Sequence, residues 1–165
     1  MLQVPQTNRS IVRKSLKICA YSRSAPRAPE ALCAVRGRPS KNPAQRLSDI
    51  IDNVDAIAAF TAGLDFQVFR VERKTVYAVV RALEIVSEAS RRLPDKLLHR
   101  HPEIDWVAIA AAGNVYRHEY ESVDEALIWH TIQHDLAGLR SVAEGQFLHL
   151  QTDLISNDRT ADGLL

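Results

Sequence analysis

The segment from Gly113 to Tyr120, Gly-Asn-Val-Tyr-Arg-His-Glu-Tyr, brings an amide, a guanidinium, an imidazole and two phenols together directly after the apolar stretch 107–112. On a helix, Asn114 and His118 are one turn apart and share a face, while Gly113, Arg117 and Tyr120 form the neighbouring stripe at i, i+4 and i+7. Such a set could orient a phosphodiester, move a proton through the imidazole and neutralise developing charge with the guanidinium, without a metal. The same spacing also suits a polar helix face with no chemistry of its own.

Other residues invite the same question. Arg81, Glu84 and Glu88 stand three and four apart on one predicted helix, the pattern of an ion-paired face, or else of a brace for the polar run. His130 and His134 have the i, i+4 spacing of helical zinc sites, with Asp135 beside them. No glutamate follows the first histidine and no third ligand is evident, so no metal site is assigned. His99 and His101 fall in a predicted loop. Trp106 and Trp129 are expected as core or dimer-packing anchors.

The elements that must position these groups all read as helices. Leu47, Ile50, Ile51, Val54, Ile57 and Ala58 recur with helical period, and Gly63 marks the end of that first helix. A short apolar segment, Leu64–Phe69, leads to a second helix over 72–93, with Val76, Val80, Leu83, Val86 and Ser87 on one face and Pro94 at its end. A third helix is expected from Asp105 towards Tyr120. Ser122 or Asp124 would cap a fourth, running unbroken from Glu125 to about Leu150 along Ile128, Ile132, Leu136, Leu139 and Val142. No segment reads as a strand. The expected architecture is all-α, an up-and-down bundle of four to five helices, with residues 46–150 as the domain and 151–165 as a flexible polar tail.

Residues 1–45 differ in kind. They are proline-, serine- and arginine-rich without a sustained apolar period and are expected to be a disordered basic extension. Residues 1–46 contain ten Lys/Arg against one acid, +9, whereas residues 47–165 hold eleven against nineteen, −8. The extension is open to three readings: an organellar leader by composition, residues upstream of a start near Val35, or a basic arm that holds RNA. No run approaches the length of a membrane helix, and both cysteines, Cys19 and Cys33, lie in the extension, which fits a cytoplasmic protein without a disulfide framework.

Four stretches carry a family resemblance: 46–53 (Arg-Leu-Ser-Asp-Ile-Ile-Asp-Asn), 81–89 (Arg-Ala-Leu-Glu-Ile-Val-Ser-Glu-Ala), 102–109 (Pro-Glu-Ile-Asp-Trp-Val-Ala-Ile), and Asn114-x3-His118-x-Tyr120 followed by Val123-Asp124-x4-Trp129. In this order they resemble the HepT-like branch (domain of unknown function 86) of the HEPN superfamily of helical ribonucleases, over roughly Gln45 to Val142. The resemblance implies a metal-independent, RNA-cleaving toxin subunit with no cofactor, acting as a homodimer and neutralised by a nucleotidyltransferase antitoxin that attaches AMP to a tyrosine. In that family the motif is arginine, a polar residue, histidine and tyrosine. Asn114, His118 and Tyr120 match the last three, and Tyr120 is thereby the modification site. The arginine position is Gly113. Since helical side chains lean towards the N-terminal turn, Arg117 is the residue placed to stand in for it. The alternative is a catalytically silent helical protein that keeps the fold to bind a partner, RNA or a nucleotide.

Overall fold

The structure is a computed structural model that describes the backbone of residues 40–118 and 124–161, with side chains described over 40–113 and 124–153. Most of the basic extension, residues 1–39, lies outside this range.

The first helix, α1 (Pro43–Thr61), starts a few residues before its apolar stripe because its cap lies there. Asn42 accepts the Gln45 N–H at 3.1 Å, and Pro43 occupies the first turn, where a missing N–H costs nothing. Leu47, Ile50, Val54 and Ile57 are buried, as their period requires. The chain leaves α1 through Gly63 at φ +72°, a left-handed conformation that a side chain would strain. The short apolar segment becomes a helix of its own, α2 (Phe66–Val71), capped by Asp65 and anchored by the fully buried Phe69.

Helix α3 (Arg73–Arg91) is the centre of the bundle, with Val76, Val79, Ala82, Leu83, Val86, Ser87, Ala89 and Ser90 buried. After Pro94 a single turn, α4 (Asp95–Leu98), seats Leu97 and Leu98 in the core. The connection then turns the chain back, and α5 (Trp106–His118) returns antiparallel along α3. Asp124 caps α6 (Glu125–His134), accepting the Ala126 and Leu127 N–H groups at 2.9 and 3.3 Å. The last helix, α7 (Leu136–Ala161), packs on α1 and α6. Among the described residues the fold is all-α: five longer helices form the bundle and α2 and α4 fill its corners.

One expected helix is two. The stretch from Glu125 is interrupted at Asp135 (φ −106°), whose N–H still reaches Thr131 O at 3.0 Å and whose carbonyl still accepts from Leu139 at 3.2 Å. The ring Nδ1 of His134 lies 2.9 Å from the His130 carbonyl, so a side chain contacts the main-chain ladder just before the interruption. The two helices have different neighbours: α6 packs on α2 and α7 on α1. Trp129 on α6 lies 5.1 Å from Phe69 and 6.4 Å from Phe66, ring centroid to centroid, which makes it an anchor for α2.

Across the opposite seam, Arg140 on α7 clasps Asp55 on α1 bidentately at 2.6 and 3.0 Å and also meets Glu144 at 2.8 Å. The Arg140 guanidinium, bonded to Asp55, holds that carboxyl below its usual pKa of 3.8. The folded chain therefore binds fewer protons here than the unfolded chain does, so the contribution is complete above the usual value and is lost as pH falls through the folded one. Denaturant unfolding below pH 4 is expected to show a shallower fall in stability for Asp55→Asn than for the wild type. At neutral pH the difference is small, since both partners are substantially exposed.

Candidate functional site

Helix α5 must present the polar run, and three contacts fix how it does so. At its start, Asp105 accepts the Ala108 N–H at 2.9 Å, a capping bond. The buried Trp106 ring donates its indole N–H to the His101 carbonyl at 2.9 Å, which ties the helix entry to the preceding loop. Halfway along, the buried Ser87 hydroxyl of α3 donates to Ala110 O at 3.1 Å and accepts the Gly113 N–H at 3.1 Å. Ser87, Ala110 and Gly113 are all small, so the two backbones approach closely at this point.

Gly113 is therefore a buried seam residue. The core-facing line of α5 runs Trp106, Ala110, Gly113, and its next member by register is position 117. Positions 114 and 118 lie about 100° and 140° around the helix from Gly113. The helical backbone continues unbroken through Asn114, Arg117 and His118. The side chains of these three residues, and all of Tyr120, lie outside the described residues.

Arg81, Glu84 and Glu88 all lie among the described residues. Arg81 bonds Glu84 at 2.7 Å, while Glu88 meets Arg92 at 2.7 Å and Arg91 at 3.9 Å. These are pairs within α3 and its C-terminal cap, the ion-paired face that the spacing suggests. The rings of His130 and His134 stack at 4.3 Å with 21° between their planes. Among the described residues, no group of three or more His, Cys, Asp or Glu is placed to hold a metal ion. No described helix is long and apolar enough to cross a membrane.

Two arrangements escape a reading of the sequence. Ser87 counts there only as a member of an apolar stripe, although a serine on such a stripe is itself a signal that a polar partner faces it. His101 lies between Glu103, 2.8 Å from Nδ1, and Gln146 of α7, 2.8 Å from Nε2, which closes the bundle end. The bond from His101 lowers the Glu103 pKa, and that carboxylate stays in solvent.

The family model Ribonuclease HepT-like matches residues 50–145, from the middle of α1 to the middle of α7, and so contains the whole α3–α5 seam and the polar run. The chain belongs to the HepT-like ribonuclease family. Among HepT-like relatives, a Thermococcus cleftensis protein named "Probable ribonuclease HepT" is 37% identical over 98 residues, 59% of this chain and 89% of that protein. A Methanocaldococcus jannaschii protein named "Putative RNase MJ1380" is 30% identical over 98 residues, 59% of this chain and 90% of that protein. "Putative RNase TTE0752" of Caldanaerobacter subterraneus is 30% identical over 99 residues, 60% of this chain and 88% of that protein. No solved structure matches the chain. The HepT-like match leaves residues 1–49 and 146–165 outside it.

Proposed function

We propose that this HepT-like protein is the RNA-cleaving toxin of a toxin–antitoxin pair, acting in the cytoplasm as a homodimer and without a metal. The observation that carries the proposal is the family match over 50–145, which includes the motif Asn114-x3-His118-x-Tyr120, with Asn114 and His118 on the backbone of a helix seated on α3. His118 takes the proton from a ribose 2′-hydroxyl as it attacks the adjacent phosphate, and a protonated imidazole then supplies a proton to the departing 5′-oxygen. Arg117 stabilises the extra charge on the pentacoordinate phosphorus, and Asn114 orients the imidazole or a phosphate oxygen. Tyr120 is the site at which a nucleotidyltransferase antitoxin attaches AMP, placing bulk and negative charge beside the histidine.

The mechanism fixes the product. Wild-type protein incubated with RNA in a chelator is expected to leave 2′,3′-cyclic phosphate and 5′-hydroxyl ends, which 3′-end chemistry and mass spectrometry distinguish. Cleavage that needs a divalent ion, or that leaves 5′-phosphates, would count against the mechanism.

A second reading has one observation behind it: the position that the family motif gives to arginine is here a buried glycine. A chain that has lost this cation could keep the helical surface to bind a partner, RNA or a nucleotide without turnover. Wild-type protein that is inert on RNA and harmless to cells lacking the partner would favour this reading.

A further inference from the structure

The outer flank of α3 carries chemistry that the α5 motif does not use. Arg73, Tyr77 and Arg81 follow one another at four-residue spacing and form one stripe. Tyr77 is 58% exposed and the Arg81 side chain 71% exposed, and Arg73 and Lys74 are exposed as well. The Arg73 guanidinium lies over the Tyr77 ring at 5.1 Å from its centroid and donates to the tyrosine hydroxyl. Arg81 bonds Glu84, whose own side chain is only 15% exposed, so the carboxylate sits inward and the guanidinium outward. Residues 73–81 contain three cations and no acid, in a body that is otherwise strongly acidic.

The stripe leads to the polar run. The Ser87 bonds to Ala110 and Gly113 set the level of α3 against α5. Arg81 lies six residues before Ser87, about 9 Å along the axis, which in an antiparallel pair is level with positions 117 and 118. Side as well as level agrees. In two antiparallel right-handed helices, equal rotations from the seam in the same rotational sense relative to each chain's direction lead to the same side. Tyr77 and Arg81 stand about 80° and 120° around from Ser87, close to the angles of positions 114 and 118 around from Gly113.

We propose that Arg73, Tyr77 and Arg81 form a binding track for single-stranded RNA that leads the strand to the end of α5. The two guanidinium groups take backbone phosphates about 12 Å apart along the helix axis, and a base stacks on the face of Tyr77 away from Arg73. An exposed aromatic between cations suits a polyanion with π-faces, whereas an apolar protein partner would have to desolvate three cations. The track rests on the reading of the chain as an RNA-acting protein.

The test is binding of the full chain to a labelled, mixed-sequence oligoribonucleotide made uncleavable by 2′-O-methylation, followed by fluorescence anisotropy across a salt series. Arg73→Ala with Arg81→Ala is expected to reduce the slope of log Kd against log salt by about 1.4, two phosphates at about 0.7 each on a single strand. Tyr77→Ala is expected to weaken binding about tenfold at every salt concentration with little change of slope, and Tyr77→Phe to retain most of it. All of these side chains are exposed, so the variants are expected to fold, which circular dichroism melts would check. Unchanged slope and affinity would overturn the track. So would variants that alter only the oligomeric state, which would make the flank a protein interface. Cleavage by the wild type with the same KM in the double variant would sink the track and leave the ribonuclease reading standing. Track-dependent binding without any cleavage would do the reverse.

Discussion

Arg117→Ala and His118→Ala are each expected to lower RNA cleavage by about a thousandfold while leaving the thermal melt within a few degrees of the wild type. Loss of a general acid–base imidazole costs about 10²–10⁴ in rate, and loss of a group that stabilises transition-state charge about 10²–10³. The equality is the informative part. In a site with a separate arginine at the motif position, Arg117 would be an accessory and its removal would cost only the few-fold effect of a distant, screened charge. On the proposed assignment that position is Gly113, which is buried against Ser87, and position 117 is the next member of the same helical line. Arg117→Lys distinguishes shape from charge: a planar fork that makes two parallel bonds to a phosphate is poorly replaced by a point ammonium, so recovery should be partial. An Arg117→Ala variant that cleaves at the wild-type rate would remove Arg117 from the site and leave the missing cation to be found elsewhere.

How much of this is legible in the sequence varies with the range of the interaction that decides it. The α1 stripe from Leu47 to Ile57, the Gly63 turn and the Asp124 cap are local features, and each stands where its pattern puts it. The interruption at Asp135 is not legible, because the apolar line from Ile128 to Val142 keeps helical period straight through it. Nor is helix α2, because six residues are too few for a period to show, and its anchor is the packing of Phe69 on Trp129, sixty residues away. At the proposed site, the order of Asn114, His118 and Tyr120 can be read directly, since a motif is a linear pattern. The reason for Gly113 cannot, because its partner Ser87 lies 26 residues earlier on another helix. The Arg73–Tyr77–Arg81 stripe is present in the sequence, but that Tyr77 faces solvent rather than the core shows only in its exposure.

The α3–α5 seam makes a second large effect predictable. Gly113→Arg, which on the proposed assignment would supply the motif arginine, is expected to destabilise the chain by about 3 kcal/mol and lower Tm by about 10 °C. Replacing a helical glycine gains up to about 1 kcal/mol from propensity. Against that stand overpacking at a seam where Ser87 Oγ is 3.1 Å from the Gly113 nitrogen, and burial of part of a guanidinium stem and charge. The cost outweighs the gain, so the motif arginine cannot simply be added. Ser87→Gly should relieve it: removing the hydroxymethyl group opens the seam, loses the two bonds to Ala110 and Gly113, and costs about 1 kcal/mol through those bonds and helix propensity. The double variant is therefore expected to melt above Gly113→Arg alone and below the wild type, a non-additive pair of the kind that contacting residues show. It also allows a rescue. If Arg117 carries the charge that position 113 has given up, then Arg117→Ala in the Ser87→Gly, Gly113→Arg background should recover cleavage that the same change abolishes in the wild type. A background that melts as predicted yet stays inactive would mean that the cation needed is not the one displaced from position 113.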